Sequence, residues 1–360
     1  MKKITLFVAA LMVSAAMLAA GTFKVEKVWG VTENVPGNTN LRHGIGWDGK
    51  IYFVDKGELK VKTLDNTGAV ADYATVEACG VGITVDGVGN LIVKNDWPVG
   101  LGSVQICKNG EQTFTTVKVC DVAAGTRADN ITASGDVYSE EGGYVYIAGK
   151  GYTGVLRAHI AKGAFVKLDT ITTYTETDLA NSNISAAIAI PTVDGNYFVH
   201  PRTGVPYIWN VTDNATEKIT LPDFKSSTIG ACTFELGGKV LYAYCAGTTN
   251  YSTDWNLYNL TDEALVNDGL LNLTDKAMNG LAGYNTNSLN CEKVDEYTVN
   301  IYQAAPTVAA GMWKVTYTPG ETTAVENTTV AVKAQKVMID GQVYMVRDGK
   351  TFNMLGQEVK

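Results

Sequence analysis

A unit that recurs six times along this chain leaves few architectures open to it. In each copy a short apolar segment enters a tight Gly-rich turn and leaves it as a second apolar or aromatic segment. The first copy runs Gly44-Ile45-Gly46-Trp47-Asp48-Gly49-Lys50-Ile51-Tyr52-Phe53-Val54. The second spans Val81 to Val93 around Val85-Asp86-Gly87, and the third Ile131 to Ile147 around Glu140-Glu141-Gly142-Gly143. Ser185 to Val199 turns at Asp194-Gly195, Gly230 to Cys245 at Gly237-Gly238, and a weaker sixth copy, Asn287 to Tyr302, at Val294-Asp295-Glu296. A spacing of roughly 40–50 residues suits four-stranded blades set around an axis and does not suit helical solenoids.

Two further strands complete most units. Glu58 to Leu64 and Ala69 to Val76 flank Asp65-Asn66-Thr67-Gly68, and Ser103 to Cys107 and Gln112 to Val119 flank Lys108-Asn109-Gly110. Gly154 to Ile160 pairs with Ala164 to Leu168, Val205 to Val211 with Glu217 to Leu221, and Trp255 to Leu260 with Ala264 to Val266. The sixth unit supplies one further strand, Gly311 to Tyr317, while Phe23 to Trp29 is a strand with no unit of its own. Left alone, both would expose unpaired backbone groups. The spacing therefore predicts an all-β fold, a six-bladed β-propeller with five or seven blades as the neighbouring counts. Lys24 to Trp29 would be the outermost strand of the last blade, antiparallel to Gly311 to Tyr317.

Composition agrees. The 360 residues include 37 glycines and 18 tyrosines, only 18% are charged, and no long run has apolar residues at helical spacing. A net charge of −8 without any Lys/Arg cluster argues against nucleic acid and against an anionic membrane surface. Residues 1–20 read as a signal peptide: Lys2 and Lys3, the apolar stretch Ile4 to Leu18, then Ala19-Ala20. That stretch is too short for a retained membrane span. The expected location is outside the cell or at its outer surface.

Six cysteines, Cys79, Cys107, Cys120, Cys232, Cys245 and Cys291, form no Cys-x-x-Cys pair, so no zinc site is expected. Cys232 and Cys245 fall on the two arms of the fifth hairpin. With the turn at Gly237-Gly238, Cys232 faces Ala243 and Cys245 faces Gly230, which sets the two sulfurs diagonally. The cysteines read mainly as small buried hydrophobes.

After residues 21–320 the rhythm stops. Residues 321–335 read as a linker, and residues 336–360 as three short strands, Lys336 to Ile339, Gln342 to Val346 and Thr351 to Leu355. The ending Asp340-Gly341-Gln342-Val343-Tyr344, with Asn353-Met354-Leu355-Gly356-Gln357-Glu358-Val359-Lys360, resembles the C-terminal sorting segment of Bacteroidetes exported proteins. In that family a closing Asn-x-x-Gly-Gln-x-Val pattern is read by the type IX secretion machinery, so the resemblance implies that machinery as a partner. A periplasmic location would follow if the segment carries no signal. The repeat body resembles secreted β-propellers of the same bacteria, a likeness that implies architecture and no activity.

In such blades the first-to-second strand turns share one face, and here they are short. The opposite face carries the second-to-third strand loops and the connectors between units, and here it is rich in aromatic, amide and charged residues. Its candidate ligand-binding residues are Arg42, His43, Trp97, Arg127, Asn130, Tyr152, His200, Arg202, Tyr251, Trp255 and Asn287. Aromatic faces beside directional polar groups suit sugar rings or peptide segments, so a glycan or protein ligand is the expected partner. Of the histidines His43, His159 and His200, none has metal-ligand spacing, and no Gly-x-Ser-x-Gly elbow or phosphate-cradling loop occurs. No cofactor is expected. Two alternatives stand beside the binding reading. A polysaccharide hydrolase or lyase would need two of Asp96, Asp129, Asp178 and Asp254, or one of them with His43 or His200, to converge. A structural scaffold would show a large apolar outer patch.

Overall fold

The central run of each repeat, such as Ile51-Tyr52-Phe53-Val54, is apolar at every position, although a strand sends successive side chains to opposite faces. Both faces must therefore be covered, and the structure shows by what. The computed structural model describes residues 21–38, 40–95, 102–121, 128, 130–148, 154–173, 188–192, 195–200, 206–210, 212–213, 215–224, 230–246, 253–274, 288–320, 335–339, 342–347, 350–353 and 357–359. Two compact units arise, Thr22–Thr318 and the remainder.

The first strand, β1 (Thr22–Val31), precedes five four-stranded antiparallel sheets, each laid down in chain order. Blade one holds β2 (Gly44–Trp47), β3 (Lys50–Asp55), β4 (Lys60–Leu64) and β5 (Val70–Thr75). Blade two holds β6 (Ile83–Val85), β7 (Leu91–Lys94), β8 (Ser103–Cys107) and β9 (Thr115–Lys118). Blade three follows with β10 (Thr132–Gly135), β11 (Gly143–Ile147), β12 (Gly154–Ala161) and β13 (Ala164–Thr173). Blade four has β14 (Ile188–Pro191), β15 (Tyr197–His200), β16 (Tyr207–Asn210) and β17 (Ala215–Lys218). Blade five has β18 (Ala231–Leu236), β19 (Lys239–Cys245), β20 (Trp255–Asn259) and β21 (Ala264–Leu265).

Blade six contains β22 (Ser288–Lys293), β23 (Thr298–Ala305) and β24 (Ala309–Thr318), and its fourth strand is β1. The first strands of the six blades touch in cyclic order, β2 to β6 to β10 to β14 to β18 to β22 and back to β2. The unit is a six-bladed β-propeller.

Each buried cluster lies on a seam between two blades. Ile51 and Phe53 face Tyr302 and Ala304 of blade six, while Tyr52 and Val54 face Ile83, Leu91 and Val93 of blade two. Alternate residues of one strand thus fill two different seams, and both must be apolar. The remaining seams repeat the pattern. Ile92 and Ile106 meet Val145 and Ile147, Tyr146 meets Tyr197, and Leu241 meets Ile301. Phe198 stacks on Tyr242 with ring centres 4.6 Å apart and planes 8° from parallel.

The ring closes through the antiparallel pairing of β1 with β24, Lys24 opposite Thr316 and Gly30 opposite Gly311. One residue is extra. Lys27 faces Trp313 and Trp29 faces Met312, so Val28 has no partner and is about half exposed. This β-bulge reverses the side-chain parity of the strand. Before it, Phe23 and Val25 pack into the seam between blades five and six; after it, Trp29 and Val31 pack into the seam between blades six and one. A single strand covers both faces of its sheet, each with one half.

Inner-edge hydrogen bonds lace the blades together. Asn290 on β22 uses its side-chain amide as a peptide would: Gly46 N–H donates to its Oδ1 at 2.7 Å, and its Nδ2 donates to the Gly46 carbonyl at 2.8 Å. Gly87 N–H donates to the Gly135 carbonyl at 2.7 Å. Asp86 accepts from the backbone N–H of Val88 and Asn90, from the Asn90 side chain, and across the seam from Val137 N–H at 3.0 Å. The short turns on this face are therefore not chemically idle, since the carboxylates of Asp86 and Asp136 hold blade two to blade three.

The C-terminal unit corrects the expectation of three strands. It has four, β25 (Gln335–Ile339), β26 (Gln342–Arg347), β27 (Lys350–Phe352) and β28 (Glu358–Val359), paired as a meander. The third strand stops at Phe352 because Asn353 closes a turn there. Its Oδ1 accepts from Gln357 N–H at 2.9 Å, its N–H donates to the Gln357 carbonyl at 2.9 Å, and its Nδ2 donates to Gln357 Oε1 at 3.0 Å. The Asn-x-x-Gly-Gln spacing thus has a local structural meaning. The leader and nearly all of the linker, residues 321–334, lie outside the described residues. Among the described residues no helix is long and apolar enough to cross a membrane.

Candidate functional site

The six inner strands enclose a channel cavity of about 380 Å³. Its wall runs from His43 and Asn130 at the connector end, past Ile45, Ile83 and Leu289, to Trp47, Gly135 and Lys293 at the turn end. The strand order explains this placement. Each inner strand begins at a connector and ends at a tight turn, so residues just before β2 and β10 lie at one mouth of the channel.

Most polar side chains in the wall are engaged within the protein. Thr132 donates to the Ala189 carbonyl, Thr233 to the Leu241 carbonyl at 2.8 Å, and Ser134 shares a hydrogen bond of 2.8 Å with the Tyr146 hydroxyl. Asn290 is committed to Gly46, and the two oxygens of Asp86 take four N–H groups. Glu235 is the other wall carboxylate among the described residues. One uncommitted carboxylate does not make the acid–base pair that glycoside hydrolysis requires. Asp254, an acid considered for that role, accepts from the Asn272 amide at 3.1 Å. Asp96, Asp129 and Asp178 lie outside the described residues, among which no group of three His, Cys, Asp or Glu could hold a metal ion.

The connector of blade one brings basic residues close together. Arg42 and His43 are buried, and Lys56, at the end of β3, is tied to the connector by its N–H donating to the Asn40 carbonyl at 3.2 Å. Burial, and then the charge of nearby Arg42, hold the Lys56 ammonium below its ordinary pKa. Asn130 Oδ1 accepts from Ile131 N–H at 3.0 Å, while its Nδ2 has no partner among the described residues.

Of the residues singled out from sequence, His43 and Asn130 line this end of the channel, and Arg42 is buried on the same connector without being part of the lining. Trp255 does not belong there. It is fully buried at the start of β20, 5.5 Å from Trp313 in an edge-to-face contact at 79°. Following a polar loop, it reads as part of a loop tip, yet its position on a third strand directs it into the seam between blades five and six. His200 ends β15 opposite Ile188. Trp97, Arg127, Tyr152, Arg202, Tyr251 and Asn287 lie outside the described residues. His159 is structural, stacked on Tyr144 at 4.7 Å with Nε2 2.8 Å from the Glu141 carbonyl. Lys56 was not among the sequence candidates; its place right after an apolar strand, opposite the Arg42 connector, was the available signal.

No protein-family model matches the sequence, and no curated protein matches it. Solved structures do. A DUF4623 family protein from Bacteroides eggerthii is 9% identical with a TM-score of 0.54, over 83% of this chain and 77% of that one. A protein of unknown function from Bacteroides thetaiotaomicron is 10% identical with a TM-score of 0.51, over 82% and 76%. A gluconolactonase from Xanthomonas campestris is 10% identical with a TM-score of 0.47, over 83% and 98%. At these identities the first two establish a shared fold and nothing further.

Proposed function

We propose that this chain is a non-catalytic binding propeller that takes a glycan at the connector-side mouth of its channel, with acidic sugars preferred. The observation that carries the reading is the cavity of about 380 Å³ whose connector end holds His43 and Asn130. A cavity of this size suits one or two sugar rings. Arg42, next to His43 on the same connector, would attract the carboxylate, and the Asn130 amide would orient a ring hydroxyl. Calorimetric titration with oligouronates and with neutral oligosaccharides tests this. Oligouronates should bind, more weakly as salt rises. Arg42→Ala should weaken binding about tenfold or more, the worth of one charge-assisted hydrogen bond, and Asn130→Ala by about three- to tenfold, the worth of a neutral one. Lys239→Ala, at an exposed ion pair with Asp262 on the opposite face, should change nothing. Equal binding by all variants, or none by wild type, ends the proposal.

In this reading the protein works outside the cell, delivered by the leader and by type IX recognition of residues 336–360. Cell fractionation checks the second part: removing 336–360 should retain the protein in the periplasm, and unchanged release to the medium would refute the sorting role.

A further inference from the structure

Two thiols meet across the seam between blades five and six. Cys232 lies on β18 and Cys291 on β22, the inner strands of adjacent blades, and both belong to the wall of the channel cavity. Cys291 Sγ–H donates to the carbonyl of Thr233, the residue next to Cys232, at 3.5 Å. Cys232 is 6% exposed and Cys291 half-buried, and the surrounding side chains are apolar: Phe234, Leu289 and Ile301.

A pairing within the fifth hairpin does not compete. Cys232 faces Ala243, and Cys245 N–H donates to the Gly230 carbonyl at 3.1 Å, so these two cysteines stand diagonally across a non-equivalent pair. We propose that Cys232 and Cys291 form a disulfide that staples blade five to blade six across the channel wall.

The chemistry needs a disulfide oxidant, such as oxidised glutathione or an oxidoreductase carrying a disulfide. One thiolate attacks the oxidant's S–S bond and expels a thiolate; the second attacks the mixed disulfide and expels another. The Cys232–Cys291 bond forms, both S–H bonds are lost, and the two electrons and two protons leave as two oxidant thiols. Burial, and then the Cys291 thiol hydrogen-bonded to it, push Cys232 well above the ordinary thiol range. Such a pair exchanges slowly, which marks a structural staple and not a fast redox sensor. Sulfurs that approach from two blades close a long chain loop, so the bond should raise the melting temperature by on the order of 5 °C.

The experiment uses the full chain, purified reduced and incubated with excess oxidised glutathione at mildly alkaline pH. It is then unfolded in guanidinium with an alkylating agent and mapped by mass spectrometry. Four of the six cysteines should alkylate, a bridged peptide should join Cys232 to Cys291, and melting should shift upward. Cys245→Ser should leave the bridge in place, while Cys232→Ser and Cys291→Ser should remove it together with the shift. The wild-type peptide map stands even if a variant fails to fold. Six alkylated cysteines, a glutathione adduct on either residue, or a bridge to Cys245 would overturn the assignment.

Discussion

Removing residues 21–30 should unfold the entire propeller, not trim its end. The deleted strand carries Phe23, Val25 and Trp29 into two different seams and pairs along the whole of β24. Full burial of side chains of this size is worth about 1.5–3 kcal/mol each, and these three, partly buried, contribute a fraction of that. The lost strand also leaves β24 as an open edge along its length. Together these losses are a large share of the roughly 5–15 kcal/mol that hold an average domain together. Thermal melting should therefore show loss of the main transition, or a single transition lowered by more than about 10 °C. A melt that keeps its midpoint would refute closure by β1. Deleting Val28 alone is the sharper form of the test. It removes an exposed side chain yet restores regular alternation, so one half of the strand must point to the wrong face. Val28→Ser should be nearly silent, and the one-residue deletion should cost nearly as much as losing the strand.

Gly46→Ala should be the most damaging single-methyl change on the inner strands. A Cβ at this position would lie 1.8 Å from Tyr302 Cγ and 2.1 Å from its Cβ. The tyrosine cannot yield. It is 1% exposed, its hydroxyl accepts from Gly49 N–H at 2.8 Å and donates to Glu292, and Asn290 grips the Gly46 backbone from the same blade. Overpacking typically costs about 1–3 kcal/mol, and a contact this short between rigid groups belongs at or above the top of that range. Chemical denaturation should show a loss of about 3 kcal/mol or more. Pairing the change with Tyr302→Ala should recover part of it, because the two positions share one space. Strict additivity of the two losses would show that the clash is relieved by other means.

Much of this architecture is legible in the chain. Strands buried on both faces are written as uninterrupted apolar runs, the turns between them carry Asp-Gly or Gly-Gly, and the unpaired strand at one end matches the missing strand at the other. At Asp48-Gly49 the turn residues take φ of 49° and 73°, as a two-residue hairpin turn requires. What the sequence hides depends on neighbours far along the chain. The bulge at Val28 is defined only against Met312 and Trp313. The seam role of Asp86 depends on Val137, and Cys232 finds its partner on another blade and not on its own hairpin. Trp255 misleads for the same reason: a large aromatic after a polar loop looks available until a second tryptophan covers it. That His43 and Asn130 lie at one mouth of the channel follows from the connectors that precede the inner strands, whereas the nearness of Lys56 to Arg42 emerges only once the blade is folded.

The lacing of inner strands has a mechanical consequence. Gly46 to Asn290, Gly87 to Gly135, Thr132 to Ala189 and Cys291 to Thr233 tie neighbouring blades at the bore itself. Widening the bore would stretch several of these ties at once, so the ring behaves as a stiff hoop of fixed diameter. Under the proposed binding role, a guest would have to match the opening as it stands, with little ordering cost on arrival and little scope for the wall to adapt. Selection among guests would then fall to their girth, and the bound wall should superpose on the empty one.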